Sequence, residues 1–583
     1  MCRFLLVSLN IDAILGEVTI RQRRKKLKEM TQGGGLSDAY TATLARLKAQ
    51  KGNKSALGMK VLMWVMYSER PLRTQELCHA LGVEIGSADL DPENVPALRV
   101  LLASCLGLVT LEASSSTVRL VHFTLREHLS HHSMLFHSPH SAISEVCLTY
   151  LNFECITDLR PTLPSAPVTT PLLEYASVYW GKHTIKGITE NIVILALKLL
   201  ATFDEHISAK LLLLDYSRDP GEGPYFGGEG PTGFSGVHGV AFLGLGGIVS
   251  RVLRMREWDV NAYDCMGMTA LTWASRSGCE EVVKALLQQE GVHPDRADFG
   301  CSRTPLWWAA EGGHRAVVRI LLEQKAVDPD RADTISGQTS LSWAAENGHE
   351  GIVKILLERE DVNPDQADTE YGQTPLGWAA WNGHEGIVKI LLEREDVNPD
   401  RADTEYGQTP LSWAAASGHD GIVKMLLGRG EVSPDQADTK SGRTPLSWAA
   451  EGGHERVVKL LLQRKDVNPD LEDTCGLSPF SFAAMRGHKV VVRILLEQEA
   501  VNPDRADTIS GQTPLSWAAE KGHEGVVKIL LEREDVNPNQ ADTEYGRTPL
   551  EWAAANGHEG IVNMLMKRKY VCTPMPDRVN QTP

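Results

Sequence analysis

Apolar residues in the second half of the chain recur in short bursts with a helical period. In the stretch 372–392, Leu376, Ala379 and Ala380 fall at i, i+3 and i+4, the spacing of one helix face. Thr374 is placed to cap that helix, and Pro375 takes its first position, where a missing N–H costs nothing. Gly383 predicts a left-handed stop. A second helix follows, with Ile387, Val388, Leu391 and Leu392 on one face and Glu385, Lys389 and Arg394 turned outward. Asp361-Val362-Asn363-Pro364-Asp365, just before the unit, is polar and broken by proline, so it reads as a connecting loop and hairpin. Helices this short cannot cover their own apolar face. The pattern therefore requires stacking on neighbours.

Those neighbours are present. The string G-x-T-P-L-x-W-A-A-x-x-G-H-x-x-x-V-V/I-x-x-L-L recurs with its Thr at 304, 339, 374, 409 and 444, and continues from Ser478, Thr513 and Thr548. Upstream, Thr269 heads another copy, and Ser235-Gly236-Val237-His238-Gly239-Val240-Ala241 fits a degenerate one, giving ten units over residues 229–570. A period in the low-to-mid thirties opening with T-P-L-x-x-A-A resembles the ankyrin repeat. The resemblance implies a mainly α, quasi-one-dimensional solenoid of stacked helix pairs. Residues beyond the common ~33 fall in the segment N-P-D-x-A-D-T-x-x-G, which is expected to lengthen the hairpin finger.

The first 228 residues follow other patterns. Residues 1–50 read as helices around the run Arg21–Lys28, where six of eight residues are basic. That run reads as a solvated helix face, with a nuclear import signal or phosphate patch as the alternative. Residues 57–136 predict a compact domain. Its expected parts are a helix over Met59–Tyr67, a second opened by Pro71, a third from Asp91 to Cys105, and strands over Gly107–Leu111 and Val118–His122. Three helices and a hairpin are the order of a winged helix. The start of its third helix, Asp91-Pro92-Glu93-Asn94-Val95, is acidic with Arg99 as its one base, which argues against reading a DNA groove. Residues 141–215 predict further helices, including Ile143–Phe153 and Asn191–Leu214. Six glycines and three prolines then mark Asp219–Gly233 as a linker.

The order of parts carries a second resemblance. Met1-Cys2-Arg3-Phe4-Leu5-Leu6, Arg70-Pro71-Leu72 with Glu76-Leu77 and Ala80-Leu81, Gly107-Leu108-Val109, and Arg119-Leu120-Val121-His122-Phe123-Thr124 resemble fungal NACHT–ankyrin proteins. There a STAND-type NTPase precedes a winged-helix-like region, a helical bridge and ankyrin repeats. The resemblance implies this domain plan: 1–56 the end of an NTPase module, 57–136 winged-helix-like, 137–228 bridge and linker, 229–570 repeats and 571–583 tail. One departure matters. No G-x-x-x-x-G-K-[ST] phosphate loop occurs, since Gly181-Lys182-His183-Thr184 and Gly52-Asn53-Lys54-Ser55 both lack its pattern. The expectation is the sensor and regulatory half of such a protein, with an NTPase either outside this chain or acting in trans.

Charge narrows the partners. The 583 residues carry 59 Lys+Arg and 75 Asp+Glu, a net of −16. Residues 1–250 balance at 23 of each sign, so the whole excess lies in 251–583, with 36 basic against 52 acidic. A polyanionic half repels phosphate backbones and anionic bilayers. No apolar run reaches the ~18 residues of a membrane span, and none of the ten cysteines forms a C-x-x-C pair. The expectation is a cytoplasmic protein (nuclear if the basic run is read) with a protein partner and no nucleic acid or membrane. A nucleic-acid-associated regulator acting through the winged helix is the alternative.

Chemistry-bearing motifs point the same way. The Gly-His pair at 314, 349, 384, 419, 454, 488, 523 and 558 comes once per repeat, and stacked helices ~8–10 Å apart cannot converge those rings on one metal. Asp361-x-Asn363-x-Asp365 begins like a calcium loop but has Gln366 and Gly372 where Gly and Glu are needed. Of the six histidines from His122 to His140, His128 and His132 are at i, i+4, without a metalloprotease motif around them. The expectation is no catalytic residue, cofactor or metal.

Recognition is instead sought where near-identical repeats differ. Trp343–Leu376 and Trp378–Leu411 differ at two places, Glu346 against Trp381 and Gln366 against Arg401. The Trp at 273, 308, 343, 378, 413, 448, 517 and 552 recurs and reads as a structural stacking ladder. Three residues later the chain varies, with Glu311, Glu346, Trp381, Glu451 and Glu520. On a helical wheel this position lies away from the alanine face and shares a stripe with residue 377, whose counterparts include Trp307 and Glu551. The finger tips carry Tyr371, Tyr406 and Tyr545 against Ser336, Ser441 and Ser510. Trp307, Glu311, Glu346, Tyr371, Trp381, Tyr406, Glu451, Glu520, Tyr545 and Glu551 are the expected partner-binding residues.

Overall fold

The computed structural model describes residues 18–25, 36–132, 135–163, 165–217 and 232–572. The N-terminal Met1–Leu6 motif, most of the linker at 219–233, the end of the basic run (26–28) and nearly all of the tail lie outside them. Two compact units divide the chain, Met1–Gly300 and Cys301–Pro583.

Among the described residues the first unit has a helical stretch at 20–25, then helices Leu36–Lys48, Lys54–Tyr67 and Thr74–Gly82. A hairpin pairs Val109–Glu112 antiparallel with Thr117–Leu120, Val109 opposite Leu120. The expected third helix is shorter than its sequence pattern. Pro92–Asn94 forms one 3-10 turn capped by Asp91, which accepts the Glu93 N–H at 2.9 Å, and the α-helix spans only Leu98–Ser104. Pro96 is the cause. It holds Val95 in an extended conformation and supplies no N–H to continue a helix. The supposed reading helix at 91–95 is therefore a turn.

Helices Pro139–Leu151 and Leu173–Lys186 pack together beyond the hairpin, with Tyr175 edge-on to Trp64 at 6.0 Å. The single helix expected over 191–214 is two, Glu190–Leu200 and Ile207–Tyr216, separated by a 3-10 turn at Phe203–Glu205. His206 caps the second by accepting the Ser208 N–H at 3.1 Å. Two repeat-like helix pairs close the unit, Gly236–Leu243 with Gly246–Met255 and Ala270–Ser277 with Glu280–Leu287.

Among the described residues the second unit has eight further helix pairs, whose first helices start at residues 305, 340, 375, 410, 445, 479, 514 and 549. In the pair Pro375–Asn382 and Glu385–Leu392, Thr374 accepts the Gly377 N–H at 3.1 Å and Gly383 takes φ 80° as the stop. Leu376, Ala379, Ala380, Val388 and Leu391 are fully buried. Successive first helices pack side by side, and so do successive second helices. Burying one such aliphatic side chain contributes about 1.5–3 kcal/mol, and it does so only because neighbours supply the cover.

Two polar ties stitch successive repeats together along much of the array. The recurrent histidine donates from Nε2 to a carbonyl at the end of the preceding first helix: His384 to Glu346 at 2.9 Å, His419 to Trp381 at 3.0 Å, His523 to Met485 at 2.8 Å. The loop aspartate does the complementary work, with Asp365 accepting the Asn398 N–H at 2.7 Å and Asp400 the Ser433 N–H at 2.7 Å. Of the residues that resembled a calcium loop, Asp365 thus serves a backbone amide of the next repeat, Asp361 pairs with Arg359, and Asn363 accepts the Asp365 N–H.

Candidate functional site

The fingers are shaped by one buried aspartate each. Asp368 accepts the Tyr371 N–H at 2.7 Å and the Gly372 N–H at 3.1 Å, and its other oxygen takes the Trp378 indole N–H at 2.8 Å. Asp403 repeats this with Tyr406, Gly407 and Trp413 at 2.6, 3.2 and 3.1 Å. Gly372 has φ 69°, and a Cβ there would run into the Thr404 side chain. The tight turn therefore needs glycine on both counts. Each finger is tied to the next, since the Tyr371 carbonyl accepts the Thr404 N–H at 2.9 Å. This geometry holds Tyr371 edge-on to Trp378 and Tyr406 edge-on to Trp413, both at 5.9 Å.

Between these fingers and their helices lies a groove of about 540 Å³. Four tryptophans line it, Trp343, Trp378, Trp381 and Trp413, together with Tyr371 and Tyr406. Trp381 is 39% exposed and fills the space between the two flanking indoles. Three carboxylates, Glu346, Glu370 and Asp403, with Ser336, Gln338 and Gln373, complete the lining. Burial holds the Glu346 carboxyl above the usual range, the nearby Asp368 and Glu370 add to that, and a hydrogen bond from Gln338 at 2.8 Å opposes it. Glu370 accepts from the Tyr371 hydroxyl and raises its pKa.

Four of the ten expected partner-binding residues thus meet in one place: Glu346, Tyr371, Trp381 and Tyr406. The others do not join them. Trp307 is a correction. It is fully buried against Trp308 and Trp343, at 5.2 and 4.9 Å, and its counterparts Ser342, Gly377 and Ser412 are buried too. That helix side faces a neighbouring repeat, a cover the wheel of one helix does not include. Glu551 is exposed and closes a capping box with Thr548. Glu451 is held by Arg443 at 2.6 Å and Arg486 at 2.5 Å, and Glu520 by Gln512 and Lys521, each at 2.8 Å. Tyr545 is 60% exposed on a more distant finger, edge-on to Trp552. Glu311 occupies the same row in an earlier repeat and is half-buried.

The tryptophan ladder also needs correcting in its detail. The recurrent Trp is bonded to the Asp of its own finger in most repeats, as Trp448 to Asp438 and Trp552 to Asp542. Ring-on-ring stacking along the row occurs where Trp381 intercalates. Trp343, Trp378 and Trp413, read from the sequence as structural alone, therefore line the site as well. The signal available was the Trp378-x-x-Trp381 pair followed by Trp413.

One cluster elsewhere has the composition of a metal site. Ligand atoms of Glu69, His140 and His183, distant in sequence, lie within 4.8 Å of one another. His183 Nδ1 is 2.8 Å from His140 Nδ1, its Nε2 is 3.0 Å from the Tyr175 hydroxyl, and Glu69 pairs with Lys186 at 2.6 Å. Burial pushes the His183 imidazole down to about 4. Hydrogen bonds and the lysine already engage these groups, so the cluster reads as a polar network running from the buried His183 to the exposed Glu69. His128 and His132 contact each other at 4.7 Å, and His128 bonds Ser37 at 3.0 Å.

Comparison with protein families agrees with this architecture. Residues 266–299 match the ankyrin repeat, and six overlapping stretches from 294–368 to 501–574 match ankyrin repeats in three copies. Residues 44–138 match the family described as GPI inositol-deacylase, winged helix domain. No curated protein matches the chain. The C-terminal region is an ankyrin-repeat array preceded by a winged-helix domain, an architecture that points to a protein-interaction scaffold.

Proposed function

We propose that this ankyrin-repeat chain is the non-catalytic sensor and regulatory part of a NOD-like-receptor-type protein, and that it captures a protein ligand in the groove around Trp381. The order winged helix, helical bridge, repeats supports the first half, with the domain plan set out above and a cytoplasmic setting. Among the described residues no helix is long and apolar enough to cross a membrane. The match to a GPI inositol-deacylase covers that protein's winged helix alone, and the chain has no phosphate loop.

One observation carries the second half. The consecutive stretches Trp343–Leu376 and Trp378–Leu411 are copies apart from two positions, and one of those places a bulky indole on an accessible groove lined by two tyrosines. Large aromatics in grooves are the anchors on which binding energy concentrates, truncation often costing ~2 kcal/mol or more. The test is affinity capture of the tagged full chain from its own cells, beside Trp381→Glu. Proteins retained by the parent and lost from the variant support the groove as the site. Equal retention by both defeats it.

A further inference from the structure

The groove has a counterpart two repeats further on that the chain fills with its own cation. Arg443 stands immediately before the helix cap Thr444. Its guanidinium lies over Trp448 at 4.7 Å from the ring centre and over Phe482 at 4.2 Å, and Nη1 donates to Glu451 at 2.6 Å. Arg443, Trp448 and Glu451 correspond by position to Gln373, Trp378 and Trp381. Arg547, likewise just before its cap, lies over Trp552 at 4.8 Å, and Lys521, from the end of its own helix, lies over Trp517 at 5.6 Å while pairing with Glu520 at 2.8 Å. An indole face beside a carboxylate is therefore a cation seat in this array.

In the groove the seat is built and the cation is not supplied. The residues before the caps are Gln338, Gln373 and Gln408, and the lining includes three carboxylates and no lysine or arginine. Gln338 is committed to Glu346 at 2.8 Å. Gln373 lines the groove but is 1% exposed, and its side-chain oxygen is buried against Gly377 with no hydrogen-bond partner among the described residues. That oxygen is left over because Tyr371 stands where the neighbouring repeat has Ser336, whose hydroxyl donates to the Gln338 oxygen at 3.4 Å. Indole faces attract cations through their quadrupole, carboxylates bind N–H donors strongly, and a planar guanidinium matches both better than a compact ammonium.

Resting on the reading of the groove as the partner site, we propose that the group it takes is an arginine side chain presented by a basic segment of the partner protein. The acidic balance of residues 251–583 favours such a segment over long range.

The test titrates the full chain, at low and then physiological salt, with a seven-residue Gly/Ser peptide carrying two arginines, following tryptophan fluorescence. The same peptide with citrulline, a neutral isostere, and with lysine serve as comparisons. The arginine probe is expected to bind at least about tenfold more tightly than the citrulline probe, with lysine between them. Trp381→Ala and Gln373→Arg, the second installing a resident cation, should each weaken the arginine probe by about tenfold, with melting curves run on both. Trp381 is exposed, so the alanine variant keeps the test open if Gln373→Arg misfolds. Citrulline binding within about twofold of arginine, or arginine binding unchanged in Trp381→Ala, overturns the proposal. If the capture experiment depends on Trp381 while the arginine probe fails, the cation assignment falls and the groove stands. If capture ignores Trp381, the groove itself is wrong.

Discussion

The indole of Trp381 lies between those of Trp378 and Trp413, 5.3 Å from the first with ring planes 20° apart and 4.5 Å from the second at 26°. One side chain thereby spans two repeats while keeping more than a third of its surface in solvent. Its stability role and its binding role are therefore separable. Losing an offset stack costs about 0.5–1.5 kcal/mol. Glutamate at this place returns part of that, because Gln373 can donate to it as Gln338 does to Glu346. Trp381→Glu should change stability by no more than about 1 kcal/mol in urea melts and still lose the partner.

Trp378 is the contrasting case. It is 5% exposed and donates to Asp368, which organises the whole finger. Trp378→Ala should cost about 3–5 kcal/mol. Trp378→Phe removes the donor and part of the ring while keeping an aromatic side chain, and should cost less, about 1–3 kcal/mol. Hydrogen exchange locates the damage: the Tyr371 and Gly372 amides, which Asp368 accepts, should lose protection before amides of the second helices.

The loop aspartates make a pH signature. Asp330, Asp365, Asp400, Asp435 and Asp504 are each held above the ordinary carboxylate range, burial being the largest cause. A carboxyl raised in the folded state contributes stability that is full below its unfolded pKa and lost as pH rises through the folded value. The opposite shifts at Asp361, Asp396 and Asp535 come from exposed arginine pairs, which solvent screens. Asp365→Asn with Asp400→Asn should therefore raise the melting temperature at about pH 7 and change it little at about pH 4. An equal change at both would refute this assignment of cause.

Nucleotide chemistry should be absent from this chain. Phosphoryl transfer needs a backbone cradle and a lysine around the phosphates, and the sequence has no such loop. Calorimetric titration with ATP or GTP and magnesium should give no saturable heat. Stoichiometric micromolar binding would be the contrary result.

Much of the fold was legible because its signals are local. Thr374, Pro375 and Gly383 act within one turn of where they stand, so the start and stop of each helix follow from the chain alone. The histidine at each second helix was recognisable as structural on spacing alone, and its bond to the preceding repeat agrees. The break at Pro96 was equally local, and the residue-before-proline rule would have revealed it.

What the tertiary structure decided is which faces are covered and what distant residues meet. A helical wheel sees one helix against one core, whereas a stacked first helix is covered on the neighbour's side as well. That is why Trp307 and the position of Gly377 are buried although they read as surface. The groove itself draws on three repeats, joining Trp343, Trp381 and Trp413 across 70 residues of chain. Sequence comparison between near-copies singled out Trp381 as the residue that differs. Only stacking at the repeat spacing could set its ring between two others.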